Sequence, residues 1–171
     1  YLNKVIPGVM YTDNGFWDTY RTTFPLLRNL VPTRYREIIK ALLNSYEECG
    51  WLPRWMAPFE RGIMPSTLTD SVIAEAIVTE NIIGEDLEIA IEALLKDGCG
   101  VSDNELHGRR YIKEYIRDGY INSNLTHESV SMTLDNCYSD YAIHLALKKV
   151  SHPDSGKFLN RSLGYKKLFN S

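Results

Sequence analysis

Asp135 is the residue of this chain best placed to hold a transferable proton. It follows Leu134 on an apolar helical stripe and precedes Tyr138 by three residues. A carboxyl group at the edge of an apolar face is poorly solvated, which disfavours its charged form and raises its pKa, as a general acid requires. The plainer reading is an amphipathic edge residue hydrogen-bonded to a neighbour. A second set is Trp17, Asp18, Arg21, Trp51, Arg54 and Trp55, all at helix starts or in a proline-rich segment. Sugar rings present an apolar face and a rim of hydroxyls. An indole platform with carboxylate and guanidinium groups meets both needs. The plainer reading there makes Trp17 a core residue, Asp18 a helix cap and Arg21 its i+3 partner.

The elements that must position these residues read as helices nearly throughout. Tyr35, Ile38, Ile39, Leu42, Leu43 and Tyr46 follow the i, i+3, i+4, i+7 spacing, with Pro32 and Thr33 as a start and Gly50 as a stop. A helix from about residue 69 to 79 turns Val72, Ile73, Ala76 and Ile77 inward. Another runs from about 85 to 98 with Leu87, Ile91, Leu94 and Leu95 on one face, and its acidic start suits the helix dipole. Residues 108–118 form a further helix. The longest runs from about 128 to 150, with Val130, Leu134, Cys137, Tyr138, Tyr141 and Leu145 as its inward stripe. Pro153 opens a last helix through Leu168. An early helix covers 16–24 and ends near Pro25 or continues, kinked, to Leu30. Short connections between helices predict antiparallel neighbours, so the fold class is all-α, a set of αα-hairpins. Residues 50–68, with three prolines and two tryptophans, form the long irregular segment, and long ordered loops are often functional.

Composition narrows the function. The 171 residues suffice for a buried core, and 44% apolar with 24% charged residues is ordinary for a globular chain. A net charge of −3 without a basic stripe excludes a duplex nucleic-acid partner. No apolar run approaches the roughly 18 residues of a membrane span. Cys49, Cys99 and Cys137 are too widely spaced for a zinc site, and His107, His127, His144 and His152 show no metal-ligand spacing. Two glycosylation sequons, at Asn124 and Asn160, are close to the about one that chance gives. No repeating period supports a helical-repeat scaffold.

Several landmarks occur in an order that identifies a family. The run Tyr11-Thr12-Asp13-Asn14-Gly15-Phe16-Trp17-Asp18-Thr19-Tyr20-Arg21-Thr22 resembles the Trp-Asp-Thr-aromatic-Arg motif of glycoside hydrolase family 92. Gly50-Trp51-Leu52-Pro53-Arg54-Trp55 and residues 64–76 resemble its next landmarks. Residues 129–141, with Thr133-Leu134-Asp135, resemble its Thr-Leu-Glu/Asp helix, and residues 161–169 its following helix. The resemblance covers nearly the whole chain. It implies part of an (α/α)6 barrel, residues 1–171 being a single partial catalytic domain whose parent has further N- and C-terminal parts. It also implies a calcium-dependent, inverting exo-α-mannosidase acting on α-mannoside oligosaccharides, with α-1,2 linkages the expected substrate. Trp17 and Asp18 match the sugar-binding pair, and Asp135 matches the general acid, where many members have Glu. The family's general base lies in a motif with no counterpart here. The shorter Asp135 leaves two alternatives open: a catalytically inactive carbohydrate-binding module, or a mannosyl-phosphate hydrolase whose leaving group needs no proton.

Overall fold

Proline and glycine punctuate the helices of the computed structural model, which describes residues 5, 7–64 and 66–169. Pro65, in the third of the matching landmarks, lies outside the described residues. Helix α3 (Pro32–Cys49) opens on Pro32, whose missing N–H would have had no intrahelical partner. It closes at Gly50, which takes a left-handed φ of 77° that a side chain would resist. The early helix divides in two, α1 (Phe16–Thr19) and α2 (Thr23–Leu30). Pro25 sits in the first turn of α2, where its ring meets no preceding turn. It therefore lies just inside a helix start, not at a helix end.

Beyond these come α4 (Thr69–Val78), α5 (Glu85–Cys99), α6 (Ile112–Asp118), α7 (Ser129–Lys149) and α8 (Ser155–Ser162). The last predicted helix tightens into a 3₁₀ turn at Leu163–Leu168. Two short strands, β1 (Asn14–Gly15) and β2 (Trp55–Met56), pair antiparallel, with Gly15 opposite Trp55. The all-α expectation holds. Helix α7 packs on α4, α5 and α8, while α3 packs on α2, α4 and α5. Between them lies the main core, with Tyr35, Ile39, Leu43, Val72, Ile73, Leu94, Ile143, Leu147 and Phe158 all buried. Among the described residues, no helix is long and apolar enough to cross a membrane.

Helix α7 corrects the expected orientation. Val130, Leu134, Tyr138, Tyr141 and Leu145 are 39–55% exposed. Of the predicted inward stripe, Cys137 alone is buried. The buried face instead carries Met132, Thr133, Asn136, Ser139, Asp140, Ile143, Ala146 and Leu147. A polar face can be buried when its groups find partners, and those of Asp140 come from distant parts of the chain. The apolar spacing gave the helix its period but not its inward side.

Two backbones meet at Gly164. A Cβ there would overlap the carbonyl oxygen of Gly119, which itself holds a left-handed φ of 78°. Gly164→Ala must push the 3₁₀ turn off α6, and overpacking of this kind costs about 1–3 kcal/mol. We expect a lower denaturation midpoint for this variant. An unchanged midpoint would show that the turn shifts freely.

Candidate active site

Asp135 lines a cleft of about 470 Å³ with Tyr20, Arg21, Leu134, Cys137, Tyr138, Tyr141, Ser162, Leu163 and Tyr165. Helix α7 supplies the floor, the α1–α2 turn one wall, and the α8–3₁₀ junction the other. The exposed tyrosines of α7 thus serve as cleft lining. Burial pushes the Asp135 carboxyl above its ordinary range, and the nearby Arg21 guanidinium pulls it partly back. The group is poised to hold a proton at a pH where a solvated aspartate has lost it.

The aromatic wall is ordered. The Arg21 Nε donates to the Tyr20 hydroxyl at 2.5 Å. Its guanidinium also lies 5.1 Å from the Tyr20 ring centre. The Tyr20 ring in turn meets Tyr138 edge-on, with centres 5.2 Å apart. Arg21 is thereby fixed beside Asp135, with Tyr20 as its hydrogen-bond partner where the plainer reading expected Asp18. Tyr20 and Tyr165 escaped the sequence reading. The aromatic in the Trp-Asp-Thr-Tyr-Arg run was the available signal for Tyr20; nothing in the spacing marked Tyr165.

The remaining predicted residues divide into two groups. Trp17, 49% exposed, and the exposed Asp18 stand on α1. The β1–β2 pair fastens that segment to the loop carrying Trp55, whose ring occupies the space that a side chain at Gly15 would need. Trp51 and Arg54 are buried and engaged by the protein. The Trp51 ring packs against Gly100 and Gly108 beneath the Lys96 ammonium, 4.8 Å from its centre. The Arg54 Nη2 donates to the carbonyls of Gly62, Glu105 and Leu106 at 2.8–3.0 Å. Glu60 accepts the backbone N–H groups of Arg54, Trp55 and Gly62, the shortest at 2.6 Å. Trp51 and Arg54, expected to hold sugar, are buried here with their contacts to the loop and its neighbours. A proline-rich loop cannot satisfy its backbone internally, so buried side chains cross-link it.

Beneath the cleft, the inner face of α7 meets a buried polar network. Asp140 accepts from Arg109 Nη1 at 2.6 Å, from Arg161 Nε and Nη2 at 2.5 and 2.6 Å, and from the Tyr115 hydroxyl at 2.8 Å. Arg109 also donates to Asp70 at 2.7 Å and to Thr67 at 3.0 Å. Burial alone would lower the Arg109 pKa, but Asp140 and Asp70 more than restore it, so its charge is secure. Five residues, about 1.4 helical turns, separate Asp140 from Asp135, so the network fixes the rotation of α7 and with it the direction of Asp135.

The sequence matches the glycosyl hydrolase family 92 catalytic domain over residues 1–171. The chain belongs to that family. Its fold is similar to a family GH92 inverting mannosidase of Bacteroides thetaiotaomicron VPI-5482, with TM-score 0.91 and 28% identity over 98% of this chain and 23% of that one. A family GH92 α-mannosidase of Bacteroides thetaiotaomicron, also solved with mannoimidazole, gives TM-score 0.85 and 32% identity over 98% and 22% of the two chains. An uncharacterized secreted glycosidase of Arthroderma benhamiae is 29% identical over 157 residues, 86% of this chain and 20% of that relative. This family 92 chain therefore spans about a fifth of the length of the relatives it matches.

Calcium takes roughly six to eight oxygen ligands. Asp135, beside a guanidinium, is the one carboxylate among the described residues lining the cleft. Among the described residues, no group of three acidic, His or Cys side chains is placed to hold a metal.

Proposed function

We propose that this chain carries the sugar-holding and proton-donating side of an inverting exo-α-mannosidase site, acting on α-linked and specifically α-1,2-linked mannose. The observation that carries the reading is Asp135, desolvated in a tyrosine-lined cleft and held beside Arg21. In this reading Asp135 donates its proton to the glycosidic oxygen as the bond breaks. Arg21 limits the rise of the Asp135 pKa, so the acid can still release its proton. Trp17 offers an indole face to the sugar, and Asp18 and Trp55 approach it from the two segments joined by β1 and β2. An inverting reaction also needs a second carboxyl group, about 6.5–9.5 Å away, to activate water. That base and any calcium ligands belong, in this reading, to other parts of the parent protein.

The test is the anomer first released from an α-1,2-linked mannobiose by the intact protein, followed by proton NMR. β-Mannose is expected first, mutarotating later. Initial α-mannose would overturn inversion, and no release would overturn the substrate. A second reading has one observation in its favour: the Arg21 guanidinium beside Asp135 suits a phosphate oxygen. A phosphate leaving group needs no proton, so mannose 1-phosphate hydrolysis that survives loss of Asp135 would favour it.

A further inference from the structure

Asp97, on α5, is buried, and neither carboxyl oxygen receives a side-chain hydrogen bond; the Leu52 backbone N–H is the donor directed at it. Asp70, on α4, is equally buried. Its Oδ2 accepts from Thr67 at 2.6 Å and Arg109 at 2.7 Å, while its Oδ1 has no partner. The two carboxyl groups lie within hydrogen-bonding reach of each other. Two ionised carboxylates in that arrangement would repel, and their oxygens would have fewer donors than they need in a site closed to water, Leu52 N–H notwithstanding. One proton between them resolves both problems, because a neutral acid supplies the donor that the Asp70 Oδ1 lacks.

The surrounding charges point to Asp97 as the proton holder. Arg109 bonds Asp70 and Asp140, and Arg161 bonds Asp140, so two guanidiniums already balance two carboxylates. Arg54 and Tyr46 also face Asp97. The Arg54 Nη2 is committed to three carbonyls, and its Nε and Nη1 have no partner. The Tyr46 hydroxyl donates to Glu92 at 2.9 Å. A charge on Asp97 would have no ion pair.

We infer that Asp97 is a neutral carboxylic acid donating its proton to the Asp70 carboxylate, a buried acid–carboxylate pair that ties α5 to α4 and to the Arg109–Asp140 network under the active-site helix. Burial first, and then the Asp70 charge, favour the protonated form and outweigh the opposing pull of Arg109 and the Leu52 N–H. The pair makes stability depend on pH with a definite sign. In the unfolded chain Asp97 loses its proton in the ordinary carboxylate range, whereas the folded group keeps it. The contribution is complete below that range and is lost as pH rises through the folded pKa.

The experiment is the infrared difference spectrum of the intact protein against Asp97→Asn at neutral pH, in light and heavy water. The expected result is loss of one protonated-carboxyl carbonyl band that shifts on deuteration, with the fold retained. The unmutated protein should also lose melting temperature with rising pH more steeply than Asp97→Asn. Loss of an ionised-carboxylate band instead would overturn the inference and favour an Asp97 charge matched to Arg54. Failure of Asp97→Asn to fold would also overturn it, since an amide keeps the acid's shape and its donor.

Discussion

Asp135→Asn in the intact protein is expected to lower mannose release from α-1,2-linked mannobiose by about a hundredfold or more, the usual size of a general-acid contribution. Asparagine keeps the side chain's size, so the cleft wall of Tyr20, Tyr138 and Tyr165 should hold, and KM should change much less than kcat. The pH profile gives a second readout. An acid must be protonated to donate, so activity falls as pH rises through its pKa. Burial raises that pKa above the ordinary aspartate range, so the alkaline limb sits higher than a solvated carboxylate would place it. Asp135→Asn should remove that limb along with the activity. A mutant that keeps full activity on mannobiose would exclude Asp135 as the acid. A substrate with a good leaving group should recover much of the lost rate if the role is proton donation.

Asp140→Ala is expected to cost about 3–5 kcal/mol, the range for removing one partner of a buried ion pair. Total stabilities of 5–15 kcal/mol leave little margin for such a loss. The substitution leaves Arg161 without its carboxylate and Arg109 with Asp70 alone, and the side chains of Arg109 and Asp140 are wholly inaccessible. It also removes the acceptor of the Tyr115 hydroxyl. The readout is the chemical denaturation midpoint, with Lys149→Ala as the comparison. The Lys149–Glu80 pair at 2.6 Å is solvent-exposed, and exposed pairs contribute little. Equal midpoints for the two variants would show that the Asp140 network merely fills space.

Both predictions depend on one helix, and α7 shows how far a one-dimensional reading extends. Its length, its boundaries near Ser129 and Lys149, and the chemical promise of Asp135 were legible, since each follows from local spacing. The inward faces of α3 and α4 were legible too. Their apolar residues bury against one another, and Tyr35, Ile39, Leu43, Val72 and Ile73 all have near-zero exposure. For α7 the same logic selected the opposite face. An apolar stripe of leucine and tyrosine outweighs Asp140 in any count of hydropathy. Yet Asp140 is buried at no accessible surface, because Arg109, Arg161 and Tyr115 meet it there.

The candidate site divides along the same line. Residue type and order singled out Trp17, Asp18, Arg21 and Asp135, of which Arg21 and Asp135 line the cleft. Trp51 and Arg54 looked alike in type, and their buried contacts with the 50–68 loop and its neighbours come only from the tertiary structure. By itself, then, the sequence determined the helical class, the family and the core faces of α3 and α4. Tertiary structure alone decided which face of α7 is buried, which aromatics line the cleft, and that Asp70, Asp97, Arg109, Asp140 and Arg161 meet. The physical reason is range. Helix period and capping are set by neighbours within a turn, whereas the burial of a charge is decided by partners tens of residues away that no spacing announces.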